Sequence, residues 1–220
     1  MVRRTKEDSE QTRLAIIAAA RKAFLRRGVT LTTMEQIAAT AGVTRGAVYW
    51  HFANKMTLFY AMRDQVTLPL MDRTDLELLG QSHANPLERI QRFLNLVMDS
   101  VVGCETVRQT FEIMAFKCEY VEQCHGELVA ALTVHEELAE KLGLAYREAA
   151  RLKLLRAGLA PDIAAASTVV FLSGLIRLWL MDDHGTLVRK HVAKLIAAHV
   201  AGHRAPGANN QRRHAHSRCK

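Results

Sequence analysis

Apolar residues recur at intervals of three and four along almost the whole chain, and the strict alternation of a half-buried strand is nearly absent. The pattern predicts an all-α protein. A first helix is expected over about 9–27, with Ile16, Ile17, Ala20 and Phe24 as its apolar stripe and Gly28 as its stop. Thr32 and Glu35 fit a capping box, which starts a second helix near Thr33 and turns Ile37, Ala38 and Ala41 inward. Gly42 then supplies a tight turn, Val43 plugs the core, and Thr44 is the candidate N-cap of a short third helix over 45–51. Helix, glycine turn and short helix together make a helix-turn-helix.

Beyond it, a fourth helix is expected from about Asn54 towards Leu79, kinked or split at Pro69. Asn85 and Pro86 form a cap and first-position pair for a helix to about Val102, and another spans about 105–118. A very long helical pattern runs over about 122–156 and ends at Gly158. Pro161 and Asp162 open a strongly apolar helix to about Met181; Gly185 interrupts, and 187–201 form the last helix. Residues 204–220 lack periodicity and read as a disordered basic tail.

Charge sharpens this picture. Residues 1–63 carry 11 Lys and Arg against 4 Asp and Glu, whereas 64–202 carry 14 against 18. The final stretch, 203–220, carries 5 and no acid. A basic end on an acidic body suggests a polyanion touched by that end, with a merely solvated basic face as the plain alternative. The apolar run 163–181 holds a single charge, Arg177, and nearly reaches the length of a membrane span. Its Ser167, Thr168, Ser173 and Gly174, with Asp182 and Asp183 following at once, fit better a helix buried on all sides in a soluble bundle or dimer. No signal peptide is visible, and the four cysteines, Cys104, Cys118, Cys124 and Cys219, form no CxxC pair, so reduced thiols in a cytoplasmic protein are expected.

A third helix in the major groove reads base edges with its N-terminal residues. Here these are Thr44, Arg45 and Ala47: Arg45 suits a guanine O6/N7 pair, and Ala47 a thymine methyl. Gly46 leaves room for close approach. Tyr49, Trp50, His51 and Lys55 lie further along, where donors meet phosphates, and Thr33 stands at the N-terminus of the second helix. Packing of Tyr49 with Phe24 and Phe52 is the alternative reading for that residue.

The stretch 12–62 resembles the DNA-binding region of TetR-family transcriptional regulators. Ile17, Ala20, Phe24, Gly28, Thr33, Ile37, Ala38, Ala41, Gly42, Val43, Gly46, Tyr49, His51, Phe52, Lys55 and Leu58 carry the likeness. The opening MVRRTKE, the AVYWHF segment and Lys117, Cys118 and Glu119 resemble its AcrR-like branch, regulators of multidrug efflux pumps. The resemblance implies a DNA-binding domain over 1–53 and a larger helical domain over 54–203 that binds a hydrophobic inducer and forms a homodimer. It implies a palindromic double-stranded operator, no cofactor, no metal and no catalysis. Residues implied for the inducer are Val66, Phe93, Val97, Met98, Phe111, Met114, Ala115, Cys118, His135, Leu138, Leu142, Val169, Leu172, Ser173, Ile176 and Arg177, although plain core is the competing reading for the apolar ones. Arg177 stands out, with Asp182, Glu119 or an acidic or phenolic ligand as its partner. The last two helices would dimerise; Val170, Leu175, Leu178, Val188, Val192, Leu195 and Ile196 give more apolar surface than one small bundle needs.

Other readings stay open. His125, His135, Glu136 and Glu137 form no nucleophile motif or ligand cluster, which disfavours an enzyme. His214, His216 and Cys219 would bind metal only incidentally in a tail. A regulator of lipid or other metabolism differs in ligand and target alone. One switched by a protein partner, or by oxidation of Cys118 and Cys124, needs no small molecule.

Overall fold

The computed structural model describes residues 6–80, 85–118 and 125–207. The tail from 208, with its His214, His216 and Cys219, lies outside the described residues, as do Glu119, Cys124 and the side chain of His125. Nine α-helices follow one another among the described residues: α1 Lys6–Arg27, α2 Met34–Ala41, α3 Arg45–His51, α4 Lys55–Leu79, α5 Pro86–Gly103, α6 Glu105–Glu112, α7 His125–Arg151, α8 Pro161–Met181 and α9 Val192–His203. An all-α chain is the result. Contacts divide it into two compact units, Met1–Met71 with Ser100–Gly126, and Asp72–Asp99 with Glu127–Lys220.

The first unit is built on α1. Ile16, Ile17, Ala20 and Phe24 are fully buried there, with Ile37 of α2, Val48 of α3 and Leu58 and Met62 of α4. The Phe24 and Phe59 rings meet tilted at 6.2 Å. Burying each such side chain contributes about 1.5–3 kcal/mol. Arg21 is buried in the same helix; its Nε donates to Thr110 Oγ1 of α6 (3.2 Å) and its Nη2 to Gln65 Oε1 of α4 (2.7 Å). Desolvation lowers its pKa, the nearby Cys104 acting the other way. The unit reaches beyond residue 53 because α6 and the turn after it pack on α1. That turn, Ile113–Lys117, is π-helical and replaces the expected continuation of helix to Cys118. It buries Ile113, and its Lys117 carbonyl accepts from the Val29 N–H at 2.8 Å.

Local chemistry sets the helix ends, and at α2 the cap lies one residue later than expected. The capping box joins Thr33 to Gln36, not Thr32 to Glu35. Thr32 is buried and donates its hydroxyl to the Gly28 carbonyl (2.7 Å), so the next residue caps. Pro69 neither splits α4 nor ends it: the helix continues through it although proline lacks the N–H for the carbonyl four residues earlier and crowds it.

In the second unit Asn85 caps α5, its Oδ1 accepting from Leu87 N at 2.9 Å. α7 stops at Arg151, five residues short of the expected end, and Lys153 takes a left-handed φ of 57°. Residues 154–156 pair instead with the end of α9: Arg156 N donates to His203 O and Ala205 N to Leu154 O, both at 2.8 Å. Arg204 and Ala205, expected in the tail, are therefore held in place. The last helix starts at Val192 and not near 187, because Asp182 captures the chain before it. Its carboxylate accepts from the N–H groups of Thr186, Leu187, Val188 and Arg189, at 2.7–3.3 Å. Those bonds, from Arg189 and Val188 above all, hold the carboxyl well below the usual range.

α8 is long and apolar enough to cross a membrane by length and composition. It buries Ala164, Ala165, Thr168, Val169, Leu172, Leu175 and Trp179, so one face is inside the unit rather than all sides. Between α7, α8 and α9 lies a polar chain. Tyr146 Oη meets Thr168 Oγ1 (2.7 Å) and His203 Nδ1 (2.8 Å), and Thr168 Oγ1 meets His199 Nε2 (3.0 Å). The His199 ring stacks on Phe171 at 4.1 Å and 5°. Burial raises the Tyr146 phenol to about 12, and lowers His199 to about 4 with help from His203.

Candidate nucleic-acid interface

Two N-caps and one glycine define the site. Thr33 Oγ1 accepts from Gln36 N (3.3 Å) while Gln36 Oε1 accepts from Thr33 N (3.1 Å). At the other end of α2, Gly42 sits at φ 69°, where a side chain is strained, and sends its N–H back to Ala39 O. Thr44, extended at ψ 154°, accepts from Ala47 N at 3.1 Å and starts α3. Each cap of this type contributes about 1 kcal/mol. Val48 and Phe52 anchor α3 in the core; the rest of the helix is left for other uses.

Exposed on α3 are Arg45, Gly46, Tyr49 and Trp50, and Trp50 at 82% is the most exposed large apolar residue among those described. Ala47 and His51 are half-buried, and His51 lies beside the Phe52 ring. Arg45 Nε and Glu35 Oε1 form an exposed ion pair at 3.0 Å, and the guanidinium lies over the Tyr49 ring, 5.4 Å from its centre. Gly46 is not there to relieve crowding within the chain. A Cβ at that position would meet only Thr44 Oγ1, at 4.0 Å. Glycine costs up to about 1 kcal/mol in a helix relative to alanine, and no crowding within the chain offsets that here.

Lys55 is engaged differently from expectation. Its ammonium donates to the carbonyls of Thr30 (2.7 Å) and Thr32 (2.9 Å), fastening the start of α4 to the loop before α2. Thr33 is likewise occupied as the cap of α2.

The residues tied to an inducer are distributed over both units. In the first, Val66 and Cys118 are buried and Phe111, Met114 and Ala115 half-buried, the last three at or beside the π turn. In the second, Phe93, Val97, Met98, Leu142, Val169 and Leu172 are buried, Leu138 and Ile176 half-buried, and His135, Ser173 and Arg177 exposed. Asp182, considered as a partner for Arg177, has its oxygens on backbone N–H groups. Of the residues assigned to a dimer face, Leu175, Val188 and Ile196 are buried inside the second unit and Val192 is half-buried. Val170 (72%), Leu178 and Leu195 are exposed, and Ile163, Met181 and Leu187, which sequence reasoning passed over, are exposed with them. Glu35, Arg21 and the Tyr146 chain were also missed; a lone arginine on the apolar stripe between Ile17 and Phe24 was the one available signal.

A capped helix carrying arginine, glycine and two exposed aromatics after a glycine turn is a helix-turn-helix DNA-binding head. Residues 16–62 match the model for bacterial regulatory proteins of the tetR family, and 85–202 the C-terminal region of MAATS-type transcriptional repressors. The HTH-type transcriptional regulator TtgR of Pseudomonas putida is 36% identical over 185 residues, 82% of this chain and 86% of that protein. The crystal structure of NalD of Pseudomonas aeruginosa, titled the secondary repressor of the MexAB-OprM multidrug efflux pump, superposes with TM-score 0.80 at 33% identity, covering 90% of this chain and 98% of that one. A SmeT–triclosan complex superposes with TM-score 0.79 at 27% identity, over 90% and 93%; SmeT is titled the repressor of the Stenotrophomonas maltophilia multidrug efflux pump SmeDEF. The chain belongs to the tetR family of DNA-binding transcriptional regulators.

Proposed function

We propose that this regulator represses a multidrug efflux operon in the bacterial cytoplasm, binds a palindromic operator as a homodimer, and is released by hydrophobic small molecules. The observation that carries the DNA half is the face of α3. Arg45, Gly46, Tyr49 and Trp50 are exposed on a helix whose other side is locked into the core. Thr44, Arg45 and Ala47 read bases, and Tyr49, Trp50 and His51 hold the backbone. Lys55 and Thr33 serve this surface chiefly by fixing the loops behind it. The efflux half is supported by the relatives' names and by buried apolar side chains of the second unit, Phe93, Val97 and Met98 of α5 and Val169 and Leu172 of α8, which suit an apolar ligand. The division is a DNA-binding domain over 1–53 and a ligand-binding and dimerisation domain over 54–203. Dimerisation uses the outer faces of α8 and α9, with Val170 and Leu178 of the first and Leu195 of the second central.

Ligand binding favours a conformation in which the two reading helices are wrongly spaced for successive major grooves. Genomic footprinting of the purified protein, with and without triclosan, tests the whole reading. The expected result is a protected palindrome beside pump genes that triclosan or a related apolar compound releases. Protection without symmetry, or a compound bound by calorimetry that leaves operator affinity unchanged, overturns it.

A further inference from the structure

Arg45 carries a long side chain in an exposed position, and an arginine free to rotate loses much of its conformational freedom on docking a base. Here two neighbours bias where it sits: Glu35 Oε1 forms an ion pair with Nε at 3.0 Å, and the Tyr49 ring lies beneath the guanidinium, 5.4 Å from its centre. Glu35 is itself positioned. It is the second residue of α2, one past Met34, and its carboxylate is drawn down by its own backbone N–H, by the Thr33 hydroxyl and by Arg45. The order of contacts is therefore cap, carboxylate, guanidinium, and it runs from the rigid start of one helix of the motif to the reading end of the next.

The atom used matters. A guanidinium presents donors along two edges, and bidentate recognition of guanine O6 and N7 needs one pair. Glu35 faces Nε as its ion-pair partner, on the side away from the Nη1–Nη2 pair that a base would use. We propose that Glu35 is a specificity-positioning residue, which buttresses Arg45 through Nε and pre-orients its terminal fork towards a guanine in the operator. The inference rests on Arg45 reading a base. It adds that the acid on α2, a residue that repels phosphate, is kept for the discrimination it gives to its neighbour.

Three variants of the full chain test it on DNA selected by the wild type from random duplexes. Arg45→Ala marks the guanine that Arg45 reads, as the position where selection is lost. Competition between the selected duplex and one with that pair exchanged then gives a discrimination ratio for each variant. Glu35→Ala is expected to lower the ratio about three- to tenfold, by returning rotamer freedom to the arginine. Glu35→Gln, which keeps an acceptor oxygen, should lower it less, and Glu35→Ala should cost nothing further in the Arg45→Ala background. Thermal unfolding midpoints should not move, since an exposed ion pair adds little to folding. An unchanged ratio in Glu35→Ala, while Arg45→Ala loses it, overturns the buttress and leaves base reading intact. Uniformly tighter binding to every duplex at constant ratio also overturns it, reducing Glu35 to bulk charge. Selectivity surviving in Arg45→Ala overturns both.

Discussion

Two of the helices that present large side chains to solvent do so with opposite chemistry. α3 exposes Arg45, Tyr49 and Trp50 around a glycine, all within seven residues. α8 exposes Ile163, Val170, Leu178 and Met181 along 21 residues, with Ser167, Ser173 and Gly174 between them and Arg177 as the charge. The first face has donors, a cation and ring faces, which suit a polyanion with readable edges. The second is an apolar stripe with small residues along it, which suits another apolar stripe. Both are exposed, yet solvent exposure alone distinguishes neither; the spacing of donors against methyl groups does.

The contrast is broken most severely at Val170. A carboxylate placed there by Val170→Glu would be desolvated in a two-fold interface, where an unpaired charge costs about 2–5 kcal/mol. Sedimentation should show a monomer, and operator affinity should drop about 100-fold or more because two half-sites are no longer held together. The unfolding midpoint of the isolated chain should change little, Val170 being 72% exposed. A stable dimer in this variant would move the interface elsewhere.

Next in size is Lys55, which separates holding DNA from holding the reading head. Its two carbonyl bonds predict that Lys55→Met destabilises the fold, a bond to a charged donor contributing about 1.5–3 kcal/mol. Urea unfolding measures it. If the midpoint stays put while the salt dependence of DNA binding flattens, the ammonium acts on phosphate after all.

These cases also show what was legible in the sequence. The core of α1 to α3 was readable because its determinants are local: three- and four-residue spacing from Ile16 to Phe24, a threonine before each short helix, a glycine between them. What failed was set by distant partners. The stop of α7 at Arg151 depends on hydrogen bonds to residues 203–205, some fifty positions away. That 187–191 holds only a 3-10 turn at 189–191, and no α-helix, depends on one carboxylate, Asp182, gathering four N–H groups. Leu175 on α8, Val188 in the connection after it and Ile196 on α9 are buried inside their own unit; periodicity does not tell inside from outside where polar positions are as few as along these helices. The role of Lys55 was legible only in part: its place at the start of α4 suggested an anion, whereas the acceptors it found are carbonyls of its own chain.

Acid offers a gentler way to separate the two regions. His199 is lowered to about 4 by burial and by His203, and faces Thr168, Phe171 and His203, with Tyr146 and Arg156 beyond. The unfolded chain therefore binds more protons than the folded one between about pH 6.5 and 4. Stability from this group is present in full above 6.5 and lost as pH falls towards 4. The buried Trp179 of α8 should report it, its emission shifting red over that window. Trp50, already in water, should not respond. His199→Gln should flatten the pH dependence of the urea midpoint; an unchanged slope would place the acid sensitivity elsewhere.

The smallest change is a single methyl group, and it sharpens the comparison most because its two consequences have opposite signs. Gly46 lies in α3 with ordinary helical backbone and open space where a Cβ would go, 4.0 Å from the nearest atom. Nothing inside the chain forbids alanine. Gly46→Ala should therefore stabilise the fold, by up to about 1 kcal/mol, through the lower entropy of the unfolded chain and better helix propensity. On DNA the same methyl would stand between Arg45 and Ala47, where the backbone must approach the groove floor, and binding should weaken. A variant more resistant to urea and poorer on the selected duplex is the expected pair of results. On α8, the corresponding substitution at Gly174 also meets open space within the chain, and there a methyl should weaken self-association while leaving the affinity of a preformed dimer for DNA as it was. Should Gly46→Ala stabilise the fold and bind DNA as well as before, the glycine would have no partner outside the chain, and the case for close approach at α3 would fall with it.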